Sequence, residues 1–204
     1  MAILAALFAT VLLMGLGVSI VLLGTTEATL AAHDRTARSL REASFAVMHL
    51  AVADLRAQPA WSAVLAEGIA PGSAAPGRAG AGSPTPPAPW GGPPLDLRQI
   101  TAEVAAAADT GIGDAQVWRL YEHASLPHLT GDAAGSPFYV AAWVADDRAD
   151  GDGDPAIDRN GILAVRALAF GPGNTRAVTA VSIRKTSGSG GPDVVRILTV
   201  QPRP

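Results

Sequence analysis

The run from Ala2 to Gly24 is 23 residues long and contains no charged side chain. As a helix it spans about 35 Å, enough to cross the hydrocarbon layer of a bilayer. It is apolar on every face, unlike the helices that border a soluble core. It is also longer than the apolar region of a secretory signal peptide and lacks the basic start of one. A retained membrane anchor is the expectation, and an exported protein with a cleaved signal is the competing one.

Nothing after Gly24 stops the helix. The first proline is Pro59, and the intervening "TEATLAAHDRTARSLREASFAVMHLAVADL" is good helix composition. From Thr26 to Ala57 the pattern turns amphipathic. At 100° per residue Leu30, Ala37, Leu40, Ser44, Val47, Met48, Ala51 and Leu55 share one face, and Arg35, Arg38, Glu42, His49 and Arg56 share the opposite one. The reading is one helix from about Ala2 to Ala57, about 84 Å long. Residues 1–25 form its transmembrane half and residues 26–58 its amphipathic half. "WSAVLAEGI" adds a short turn in which Trp61, Val64 and Leu65 dock back.

Residues 71–94 have a different character: 14 of the 24 are Pro or Gly. Such a stretch holds neither a helix nor a central strand and reads as an extended, flexible loop, pinned at its end by Trp90. Residues 95–204 then form a helix-plus-sheet domain. In "LDLRQITAEVAAAADTG", Asp96 caps a second helix with Gln99 as its capping-box partner. Leu97, Ile100 and Val104 form its buried face, and Gly111 is its left-handed stop. After it the period becomes two. "AQVWRLYEH", "PFYVAAWVA", "GILAVRALAF", "TRAVTAVSIRK" and "DVVRILTVQ" read as five strands. The short connections "GPGN" and "SGSGGP" make the last three an antiparallel meander. The fold class is therefore α+β: a long N-terminal helix packed on an antiparallel sheet of about five strands.

The chemistry is sparse. A net charge of −3 supplies no basic field, so nucleic acid is not an expected partner. The absence of cysteine removes disulfides, thiolate nucleophiles and Cys-based metal sites. His33, His49, His123 and His128 form no HxxxH-type pair, and no GxSxG or phosphate-binding loop is present. No catalytic residue or cofactor is expected, and the chain does not read as an enzyme. Trp118, Tyr139 and Trp143 read as packing residues of the strands.

The densest cluster is "DDRADGDGDPAIDRNG", with six aspartates in residues 146–158. Asp150, Asp152 and Asp154 alternate, and Asp158 follows four residues on. That spacing of hard oxygen donors is partly that of a calcium loop. It departs from one where Pro155 stands in the glycine position and Gly161 in the place of the bidentate Glu. The other reading is a solvated strand connection closed by the Asp158-Arg159-Asn160-Gly161 turn.

The whole layout, an apolar-then-amphipathic helix ahead of an antiparallel sheet, resembles type IV pilins and pseudopilins. More narrowly, "GTTEATLAAHDRTARSLREASFAVMHLAVADL" resembles the N-terminal region of PilX-type minor pilins, and this match covers about a quarter of the chain. The resemblance implies a non-enzymatic subunit of pilus assembly. It would be a single-pass inner-membrane protein with its C-terminal domain outside the cytoplasm, and would pack against other pilin-like subunits through the N-terminal helix. Two features depart from the family. The basic leader cut by a prepilin peptidase is not present, and the first acidic residue is Glu27 rather than one near the start of the helix. Arg35, Arg38 and Arg41 follow the anchor and nothing basic precedes it, which by the positive-inside rule would keep the C-terminal side in the cytoplasm. A short basic leader upstream of Met1 would account for the missing leader and for the charge asymmetry. The alternative to a pilus subunit is a single-pass anchored periplasmic binding domain, calcium-dependent through its acidic loop and outside any filament.

Overall fold

The computed structural model describes residues 2–67, 85–108, 116–130, 136–151, 153–186 and 194–203, with backbone alone at 130 and 200–203. Helix α1 covers Ala2–Ala57. The chain divides into two compact units, residues 1–39 and 40–204.

In the first unit every described residue is helical and all but Thr36 are exposed. Its hydroxyls bond back to the helix: Thr10 to the Leu7 carbonyl, Ser19 to Gly15, Thr25 and Thr26 to Leu22, Thr29 to Thr25, and Thr36 to Ala32. Each of these polar groups thus has a partner within the segment itself.

The second unit is a sheet sandwiched between helices. Strands β1 (Arg119–Ser125), β2 (Tyr139–Asp146), β3 (Ile162–Gly171), β4 (Thr175–Thr186) and β5 (Val194–Arg203) are antiparallel neighbours in sequence order, so all five form one meander. Strand β1 begins later than "AQVWRLYEH" implies. The Gln116 side chain instead spans to the Asp146 carbonyl and accepts from Arg148, and the β1–β2 register shifts at Leu120/Glu122.

Alternation along the strands separates two cores. On one face lie Val140, Ala142, Val144, Leu163, Val165, Ala167, Val181 and Ile183, under the α1 residues Leu40, Ala43, Val47, Met48, Ala51, Val52 and Leu55. These helix positions recur at three- and four-residue intervals, one face of an α-helix. The buried stripe begins at Leu40. Leu30, 64% exposed, and Ala37 lie on the same helical face but are uncovered. Periodicity marks which face is apolar, not where its cover ends. Within the interface the Ser44 and Thr179 hydroxyls pair at 2.8 Å, and the Tyr121 hydroxyl donates to Asp54.

The end of α1 is closed by side chains. The Trp61 indole donates to the Leu55 carbonyl (2.9 Å), and Lys185 Nζ donates to the carbonyls of Gln58 and Pro59. Trp61, Val64 and Leu65 of α2 (Trp61–Glu67) are buried in the same core, as their spacing implied.

The other face carries α3 (Leu97–Ala108). Its Leu97, Ile100, Val104 and Ala108 cover Tyr139, Ala141, Trp143, Ala145, Leu168 and Phe170. Asp96 caps α3, accepting from the amides of Arg98 and Gln99. The Gln99 side chain does not return to complete a capping box. It bonds Glu103 one turn ahead, in the i,i+4 geometry that an exposed helix face favours. At the other end, Arg166 donates to the Val104 carbonyl and Arg148 to the Ala108 carbonyl, satisfying groups a helix leaves unpaired. Gly111 lies outside the described residues.

Strand β2 is buried along its whole length because both helices lie over it. Ala141, Ala142, Ala145, Ala167 and Ala169 let two helices and a sheet approach closely, which is the structural use of the alanine-rich composition. Trp118, Tyr139 and Trp143 are buried packing residues, and Trp143 also donates to the Thr101 hydroxyl. Trp90 packs partly buried against the α3 core, as does Leu95. Residues 71–84 of the Pro/Gly-rich stretch lie outside the described residues. A short helix, α4 (Leu126–Thr130), follows β1 where the sequence pattern indicated no element.

Candidate functional site

Two regions carry functional character. The first is the apolar part of α1. It contains a stretch long and apolar enough to cross a membrane, none of it buried. Leu13 and Met14 are 68% and 74% exposed, and a β-carbon added at Gly15, Gly17 or Gly24 would meet nothing within 4 Å. Leaving this much contiguous apolar surface in water is unfavourable, which marks it as a contact surface for lipid or protein.

The second is the β2–β3 connection. Of the aspartates singled out by spacing, Asp150 and Asp158 come together, and their third partner is Asp146. One carboxylate oxygen from each lies within 4.8 Å of the other two. Asp154 instead closes a local turn, accepting from the Ala156 amide, and Asp152 lies outside the described residues. Asp146 escapes a spacing argument because it belongs to β2. Strand alternation carries it toward the α1 side of the sheet, opposite Leu163.

Other contacts hold the carboxylates in place. Asp150 accepts from the Arg159 amide (2.9 Å), and Asp158 accepts from the amides of Gly161 and Ile162. The Asp158 amide donates to Ser62 of α2 at 3.1 Å. The turn anticipated at 158–161 is formed, with Gly161 at a φ of 71°, where it lies against the Lys185 carbonyl. Asp146 is 4% exposed. Burial, and then the charges of Asp150, Asp158 and Asp147, raise its carboxyl to about 7. Burial likewise raises Asp158, with Asp150 and Asp147 adding to it. Three converging carboxylates of this kind can share a proton or ligate one hard cation.

The histidines are dispersed. His33 and His49 are exposed on α1, and His128 is exposed on α4. His123 is buried, its Nδ1 paired with the Tyr139 hydroxyl at 2.7 Å, and burial lowers its pKa. Among the described residues no serine hydroxyl bonds a histidine.

Comparison with protein-family models, with curated proteins and with solved structures returns no match.

Proposed function

We propose that the chain is a membrane-anchored, non-enzymatic assembly subunit of the minor-pilin kind. It sits in the inner membrane through α1 and carries the sheet domain outside the cytoplasm. One observation carries this reading: a single helix is apolar and uncovered over its first part, then becomes the buried spine of a five-stranded sheet from Leu40 onward. Lipid is the natural solvent of the first part before assembly, and neighbouring helices replace lipid afterwards. The internally bonded hydroxyls of Thr10 and Ser19 support the reading, because an unsatisfied polar group in hydrocarbon is costly. Gly15 and Gly17 leave room for close helix approach. The test is fractionation of the producing cells. The full chain is expected in the carbonate-resistant membrane fraction and, during filament growth, in sheared filaments. Recovery only as a soluble protein lacking its N-terminus would sink the reading in favour of an exported domain.

A second reading keeps the anchor and drops the filament: a periplasmic binding domain whose acidic loop takes calcium. The convergence of Asp146, Asp150 and Asp158 favours it. A calcium-specific rise in melting temperature, not reproduced by magnesium at equal ionic strength, would support it.

A further inference from the structure

A third region, beside α3, is a cleft of about 350 Å³. That volume lies at the small end of ligand clefts, which run from roughly 300 to 1,000 Å³. Three pieces of chain line it: the approach to α3, the first turns of α3, and the tight link between β3 and β4. Trp90, Pro93, Pro94 and Leu95 supply apolar surface, together with Ile100 of α3. Trp90 is only half-buried, and its indole lies so close to Gly92 that a β-carbon there would come within 2.6 Å of Nε1. Any larger residue at 92 would push the ring aside.

The polar groups of the cleft are of both kinds. Gln99 Nε2 donates to one oxygen of Glu103 and Arg176 to the other. These bonds hold the three side chains together, and the Arg176 bond lowers the Glu103 carboxyl below its usual range. Gln99 Oε1 and the remaining N–H groups of Arg176 have no partner among the described residues. Asp96 caps α3 through Oδ1 alone, which leaves Oδ2 open. The Trp90 indole N–H and the Asn174 side-chain amide are likewise unpaired there. Asn174 has a φ of 60°, the one positive value among the described non-glycine residues, and Asn tolerates that backbone better than most. The cleft thus offers open acceptors on Asp96 and Gln99 and open donors on Trp90, Asn174 and Arg176.

That set discriminates between ligands. Two carboxylates against one guanidinium disfavour an anion. A wholly apolar ligand would strand polar groups it displaced from water. A hydroxyl donates and accepts, so it satisfies either kind of group. A sugar ring carries several hydroxyls at its rim and an apolar C–H face that packs on an aromatic ring.

We propose that this cleft binds a neutral sugar unit, with Trp90 against its C–H face and Asp96, Gln99, Asn174 and Arg176 on its hydroxyls. Glu103 positions Gln99 and Arg176. The site uses neither the anchor nor the acidic connection, and stands apart from the assembly reading. One sugar unit in so small a cleft binds weakly, with a Kd on the order of 1 mM.

The test is saturation-transfer NMR on the full chain in a detergent without a sugar headgroup. The probes are glucose, galactose, mannose and N-acetylglucosamine, with choline as a cationic comparison. At least one sugar should receive saturation, and choline should not. Trp90→Ala should abolish the transfer. Asn174→Gly, which keeps the turn's backbone accessible, and Gln99→Leu, on the exposed face of α3, should each weaken binding roughly fivefold. Arg38→Ala, far along α1, should change nothing. If Trp90→Ala does not fold, the Asn174 and Gln99 variants decide alone. Absence of transfer to all four sugars overturns the site, as does transfer to choline only. Transfer indifferent to Asn174→Gly and Gln99→Leu places the sugar elsewhere and overturns it too.

Discussion

Residues 2–39 and 40–57 belong to one helix and draw on the same small vocabulary of Ala, Leu, Val, Ser and Met, yet their surroundings differ completely. Leu13 and Met14 are 68% and 74% exposed, whereas Leu40 and Met48 are each 2% exposed. The earlier segment is apolar all round as far as Gly24, and all of its described residues but Thr36 are exposed. The later one is apolar on a single stripe and is covered by the sheet. Helix formation therefore requires only composition, while a helix's solvent is set by how its apolar residues are distributed around the axis. A full circumference needs lipid or other helices, and a stripe needs one partner face.

The sharpest way to break this comparison is to place a charge in each segment and read two quantities, membrane retention and folding of the sheet domain. Met48→Asp should have the largest effect. An uncompensated charge in the core costs roughly 3–5 kcal/mol, a large share of what a domain this size has to lose. Protease resistance of the sheet domain should disappear while the chain stays in the membrane fraction. Leu13→Arg should do the reverse. It costs roughly 2.5–3.5 kcal/mol on insertion scales and should weaken carbonate-resistant retention without changing the melting of the domain. If either substitution moves both readouts equally, the division of α1 into two solvents is wrong.

A smaller effect is expected from the acidic connection. Because the Asp146 carboxyl is raised from 3.8 to about 7, the folded state binds more protons than the unfolded state between those values. Its contribution is fully destabilising above about 7 and is relieved as pH falls toward 3.8, with a slope of at most about 1.4 kcal/mol per pH unit. Asp146→Asn should raise the melting temperature at pH 8 and flatten its rise on acidification, as followed by thermal melts across that range. An unchanged pH profile would show that Asp146 is not the group responsible. The smallest effect belongs to Arg38→Ala and Arg56→Ala on the exposed face of α1, which should leave melting within experimental scatter because exposed arginines contribute little. A clear loss of stability at either position would mean that this face is also covered.

The acidic connection shows where linear reasoning stops. Asp150 and Asp158 were legible as a pair because both lie in one short run, and the Asp158–Gly161 turn was legible because Asp, Asn and Gly each favour that backbone on their own account. Asp146 was not. Its proximity to them depends on where β2 ends, on which way its last side chain faces, and on the return of the chain at Ile162 opposite Arg184. The pairing of Arg184 with Arg196 is a matter of register between two strands, and no local pattern contains it.

By itself the sequence determined the elements whose cause is local. An uncharged run and a proline-free continuation make α1, a shift to alternation makes the strands, and short Gly- and Pro-containing links make antiparallel neighbours. Tertiary structure decided what depends on a partner: that the stripe is covered only from Leu40, that β2 is enclosed from both sides, that Gln99 bonds Glu103 rather than closing a capping box, and that Asp146 completes the acidic cluster. The physical reason is one of range. Backbone preference and periodicity act over a few residues and are written in the chain, whereas burial and electrostatics are properties of the groups that face a side chain across space.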